Sequence, residues 1–95
     1  MIASIHDLRY QALRAQLICM RKASGLTQVQ VAERLGVGQS FVSKIERGEA
    51  YVEVFFYLDW CAVCGVLAAD AIGELSHRPP APKMGADGMA DNQLK

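Results

Sequence analysis

The residues of this chain that could do chemistry begin with "DWCAVCGV", Asp59 to Val66, where Cys61 and Cys64 stand two residues apart behind a tryptophan. That is the spacing of a dithiol-disulfide redox pair. A thioredoxin-like pair needs a strand leading into it and a helix N-terminus behind it, so that the dipole lowers the thiol pKa. Neither context is present. Phe55, Leu58 and then Cys61 or Ala62 recur at helical spacing, which places Cys61 and Cys64 inside or at the end of a helix, where the negative dipole end raises a thiol pKa. Zinc fares no better. A structural site wants four ligands, and His6 and His77 are isolated, so no metal, cofactor or catalytic residue is expected. What remains for Cys19, Cys61 and Cys64 is the part of small hydrophobes, or of a redox-sensing regulator.

A second chemical signal is the distribution of charge. The formal net charge is zero. Between Arg9 and Arg47, however, lie seven bases and two acids, and between Glu49 and Glu74 lie five acids and no base. The first half suits a polyanion and the second does not.

The elements that must position these groups are read from apolar spacing. With 95 residues, 52% of them apolar, the chain has room for one packed domain. No run approaches the roughly 18 apolar residues of a membrane span, and Arg9 and Arg14 interrupt any secretory signal. An odd number of cysteines does not make a disulfide framework, so a cytoplasmic, nucleoid-associated setting is expected. Ile5 to Ala23 reads as a first helix, with Ile5, Leu8, Ala12, Leu13, Leu17 and Met20 on one face. A second starts at "LTQVQVA", where Thr27 and Gln30 can form a capping box. Gly36-Val37-Gly38 is a tight turn, and Gln39 to Arg47 a third helix stopped by Gly48. Two short helices on a three-residue turn make a helix-turn-helix by spacing, though that spacing also occurs in proteins that bind nothing. Val52 to Cys64 and Leu67 to Leu75 supply a fourth and a fifth helix. From residue 76 onward all three prolines appear and large apolar residues become scarce, the composition of a disordered tail. The expected division is a domain over 1–75, with the helix-turn-helix at 28–47, and a tail over 76–95.

The stretch "GLTQVQVAERLGVGQSFVSKIERGE", Gly25 to Glu49, closely resembles the helix-turn-helix of the Cro and lambda repressor-like DNA-binding proteins, the XRE family. The combination of Leu-Thr-Gln, Ala32, Leu35-Gly36-Val37, Gln39-Ser40, Val42 and Ile45-Glu46 carries the likeness, which extends from about Leu13 to Val66. It implies an all-α, five-helix fold of the lambda repressor type, a non-enzymatic transcription regulator, and double-stranded DNA as partner. The third helix would enter the major groove N-terminus first. Carried onto this sequence, Gln39, Ser40 and Lys44 would be the base readers, with Ser43 beside them. The chemistry agrees: a glutamine amide can both donate to and accept from adenine, and lysine favours guanine acceptors. Gln28 would contact the DNA backbone and brace Gln39, and Arg47 and Lys22 would meet phosphates or stand as ordinary solvated charges. Arg21 and Glu46 would form a structural ion pair, and Ala32, Leu35, Val37, Val42 and Ile45 would be core. Phe41 has two readings, the edge of the core or a thymine methyl.

One departure stands out. Relatives often carry bases after the glycine that ends the third helix, whereas here Glu49-Ala50-Tyr51-Val52-Glu53 follows and the next base is Arg78. Salt dependence should be shallow. The fourth helix is apolar nearly all round, more than one side of a small domain can bury. Phe55, Phe56, Trp60 and Val63 are therefore expected at a homodimer interface on the fourth and fifth helices. A repressor on a pseudo-palindromic operator is the resulting expectation. The rivals are a protein interaction module that kept the fold and lost DNA affinity, meeting a protein partner instead, and the redox-sensing regulator using Cys61 and Cys64.

Overall fold

The computed structural model describes residues 7–77, which form five helices and, among those residues, no strand. They are α1 (Leu8–Ala23), α2 (Gln28–Leu35), α3 (Gln39–Arg47), α4 (Val54–Val63) and α5 (Ala68–Ser76). The all-α class and the order of five helices are those expected. The proposed start at Ile5, the isolated His6 and the tail from residue 78 lie outside the described residues. No single helix among the described residues is long and apolar enough to cross a membrane.

Local chemistry sets the ends. Asp7 caps α1 by accepting from the Arg9 N–H at 2.7 Å. Thr27 and Gln30 form the capping box of α2: the Gln30 N–H donates to Thr27 Oγ1 at 3.1 Å and the Thr27 N–H to Gln30 Oε1 at 2.9 Å. Gly36 closes α2 at φ 73°, a left-handed conformation that a side chain would strain. The fourth helix is shorter than its apolar run. Glu53 caps it, accepting from the Phe56 N–H at 3.1 Å, while the Val52 N–H is held by Tyr10 Oη at 3.2 Å, so Val52 and Glu53 stay outside. Cys64 is the C-cap. The fifth helix is shifted by one residue from the expected span, with Leu67 as cap and Ser76 inside it rather than in a tail.

The core is built on Leu17, Val31, Val42, Ile45 and Trp60, all fully buried, with Met20, Ala32, Tyr57, Cys61, Cys64 and Ala71 around them. Leu35 and Val37 pack against it half-buried. Burial of Trp60 corrects the expected dimer face. Its ring is part of the core and its indole N–H donates to the Leu17 carbonyl at 3.1 Å, so it has no surface to offer a second copy. Phe41 lies at the edge of the core and stays 38% exposed. It meets Phe56 edge-on at 5.4 Å, and Phe56 meets Trp60 at 5.9 Å, a relay of rings from α3 into the core. A polar tie missing from the sequence reading joins α1, α4 and α5: Tyr57 Oη donates to Gln16 Oε1 at 2.6 Å, and Gln16 Nε2 to the Ala71 carbonyl at 2.7 Å. Gln16 is buried and engaged at both its amide nitrogen and its amide oxygen, as a polar group in that position must be.

Candidate nucleic-acid interface

The site is assembled from α2 and α3, with α1 behind them. Glu46, near the end of α3, has its side chain 6% exposed, and its carboxylate accepts from Arg21 Nε at 2.6 Å and Nη2 at 3.0 Å. The remaining Arg21 nitrogen, Nη1, donates to the Leu26 carbonyl at 3.0 Å, so one guanidinium ties α1, the loop before α2, and α3. Glu46 Oε1 takes a third bond, from Gln28 Nε2 at 2.9 Å. Gln28 Oε1 in turn accepts from Gln39 Nε2 at 2.7 Å. An unbroken series of hydrogen bonds therefore runs from a nearly buried ion pair to the exposed first residue of α3.

That series decides which way Gln39 points. One of its two N–H bonds is spent on Gln28, leaving the second N–H and the carbonyl oxygen free. A donor and an acceptor side by side are what an adenine edge requires. Ser40 and Lys44 are exposed on the same short helix. Ser43 is half-buried and its hydroxyl accepts from Arg47 Nη1, which separates it from the other three.

Arg47 is also engaged elsewhere. Its Nε and Nη2 form a two-pronged pair with Glu49, each at 3.0 Å, and both side chains are 54% exposed. The hydrogen bond from Arg47 holds the Glu49 carboxyl below its ordinary range, and Glu49 in return raises the Arg47 guanidinium. The positive charge expected to meet phosphate is thus opposed by its own neighbour, a contact the sequence reading missed although Glu49 lies two residues away. Lys22 is exposed on the last turn of α1 and has no place in the Gln39 network.

The cysteine pair lies elsewhere. Cys61 is inside α4 and Cys64 at its end, both buried and unbonded to each other, and Cys19 is free and exposed. Burial is the first cause pushing both the Cys61 and the Cys64 thiol up, not the helix dipole invoked from sequence. Fewer thiolates at neutral pH mean lower reactivity. No three His, Cys, Asp or Glu side chains among the described residues could hold a metal ion together.

The comparisons with known proteins agree with this geometry. The family model of the helix-turn-helix domain matches residues 12–74. A solved XRE-family like protein from Pseudomonas syringae pv. tomato str. DC3000 superposes with a TM-score of 0.70 at 40% identity, over 73% of this chain and 84% of that one. The clp gene regulator ClgR from C. glutamicum superposes at 0.61 with 31% identity, over 68% of this chain and 83% of its own. A second structure of ClgR gives 0.62 at the same identity, over 68% of this chain and 69% of that one. No curated protein matches the sequence significantly. With matching helices, turn and sequence over two thirds of its length, this chain belongs to the XRE-type helix-turn-helix family of DNA-binding regulators.

Proposed function

We propose that this protein is a transcriptional repressor that binds a pseudo-palindromic operator in double-stranded DNA as a homodimer. The observation that carries the reading is the series Arg21, Glu46, Gln28, Gln39, which holds an exposed amide at the start of α3 in one orientation. A side chain fixed in this way has already lost the entropy that a base contact would otherwise cost. Gln39, Ser40 and Lys44 read bases, Ser43 lies beside them, Gln28 and Lys22 add backbone contacts, and Arg47 joins them when DNA draws it from Glu49.

Support for the dimer comes from α4 and α5. Phe55 is 68% and Val54 60% exposed, and Leu58 and Ile72 are exposed as well, more large apolar surface than a small monomer needs to show. Phe56 and Val63, half-buried beside them, complete that face without Trp60. Two copies joined there would present their α3 helices to half-sites about one helical turn, ~34 Å, apart.

The competing reading, an interaction module without DNA affinity, has one observation in its favour, the neutralisation of Arg47 by Glu49. Gel-shift against pooled random duplexes separates the two. Binding that weakens as salt rises is the outcome expected of a regulator, and no salt-sensitive complex at micromolar protein would leave the module standing.

A further inference from the structure

Arg14 is a cation to which the family motif gives no role. It sits on α1, two turns before the ion-paired Arg21, and its guanidinium lies directly over the backbone of Gly48, where a Cβ would overlap Nη1. Its Nε is buried and has no hydrogen-bond partner. Among the described residues Arg9, Arg21 and Arg47 are each paired with an acid and Arg34 is exposed, so Arg14 is the half-buried arginine left without an anion. The two acids that flank this end are taken, Glu46 on α3 by Arg21 and Gln28, and Glu49 just past Gly48 by Arg47. Nor does Arg14 cap α3. The Lys44 and Ile45 carbonyls at that end accept from the Gly48 and Glu49 N–H groups instead. A partly desolvated cation without a counter-charge is costly, and an anion brought from outside would remove that cost.

The place of Gly48 says which anion. α3 has nine residues and is about 13 Å long, close to the ~12 Å width of the major groove. With its N-terminal residues at the base edges, its C-terminal end stands at the groove wall, where the phosphates are. Past Gly48 the chain offers two acids and no base before α4, and Arg47, the last residue of α3, is paired with Glu49, so a further cation for this wall, one neither paired nor reading bases, has to come from another helix.

We infer that Arg14, delivered from α1 and seated on Gly48, is a DNA phosphate anchor that substitutes for the bases absent after the third helix. This rests on the DNA-binding reading and adds to it a contact outside the helix-turn-helix. Gly48 has two duties at this point: its φ of 78° ends α3, and its missing side chain makes the seat.

The test measures affinity for a pooled random-sequence duplex across a range of salt, because a phosphate contact is independent of sequence. Arg14→Met keeps an apolar stem over Gly48 and removes the charge. It should weaken binding to every duplex alike and lower the slope of log K against log salt by about 1, while Arg14→Lys keeps the slope. On the unmodified chain, the Arg14 Nε–H signal in NMR should shift when the duplex is added. A salt slope identical in Arg14→Met and the parent, or an Arg14 signal unmoved at saturating duplex, overturns the anchor and leaves DNA binding intact. No salt-sensitive binding by the parent chain overturns both.

Discussion

The two faces of this domain are built on opposite terms. On the α2–α3 face polar side chains are joined in series, and a nearly buried ion pair fixes the direction of an exposed amide. On α4 and α5 the exposed large groups are apolar, Val54, Phe55, Leu58 and Ile72, and the charged residues of the two helices and the α4 cap, Glu53, Asp59, Asp70 and Glu74, are all acids. The first arrangement suits a partner whose donors and acceptors must be matched one by one. The second suits association by area, which is indifferent to direction. Salt should divide them: it weakens attraction to phosphates and screens the repulsion between acids on two copies of the same face.

The largest effect that sharpens this contrast is at Glu46. Glu46→Ala leaves the Arg21 guanidinium unpaired where its side chain is only 11% exposed, and should cost about 3–5 kcal/mol in a urea melt. It should also release Gln28 and so Gln39, whereas replacing Arg21 and Glu46 together by methionine and leucine should recover most of the stability without recovering DNA preference. A melt unchanged by Glu46→Ala would show that the polar series is ornamental.

Next comes the pair Trp60 and Phe55, two aromatic residues on one helix. Trp60→Ala should destabilise by about 3–5 kcal/mol, since the ring is wholly buried. Phe55→Ser should change monomer stability by no more than about 0.5 kcal/mol and instead shift sedimentation toward the monomer. Equal losses of stability from both would remove the distinction between core and contact face.

Gln39→Ala should relax base preference at one position, worth about 1–3 kcal/mol of discrimination, with the fold intact by circular dichroism. The smallest effect is expected at Glu49. Glu49→Gln frees Arg47 from its exposed pair, and should strengthen binding to all duplexes and steepen the salt slope by about 1. An unchanged slope would mean that Arg47 never faces the phosphates.

Much of the fold was legible because its signals are local. Thr27 and Gln30 announce a capping box by type and spacing, and glycines at 36 and 48 mark helix ends where the backbone turns left-handed. Resemblance, not periodicity, put Arg21 beside Glu46. Periodicity failed on α4, whose run "VFFYLDWCAV" is apolar on nearly every side and so does not say which side turns inward. Trp60 was assigned to the wrong face for that reason. The seat of Arg14 on Gly48 was not legible either, because it depends on how α1 crosses α3, and no spacing within either helix encodes that crossing.

The most direct test of the central claim, that this chain reads DNA through α3 as a symmetric pair, is selection of bound duplexes from a random library by the full chain. The expected result is an enriched inverted repeat with half-site centres about one turn, ~34 Å, apart, and loss of preference at one position in each half-site for Gln39→Ala. A pool that remains random after repeated rounds, while the protein is folded and dimeric, would contradict it.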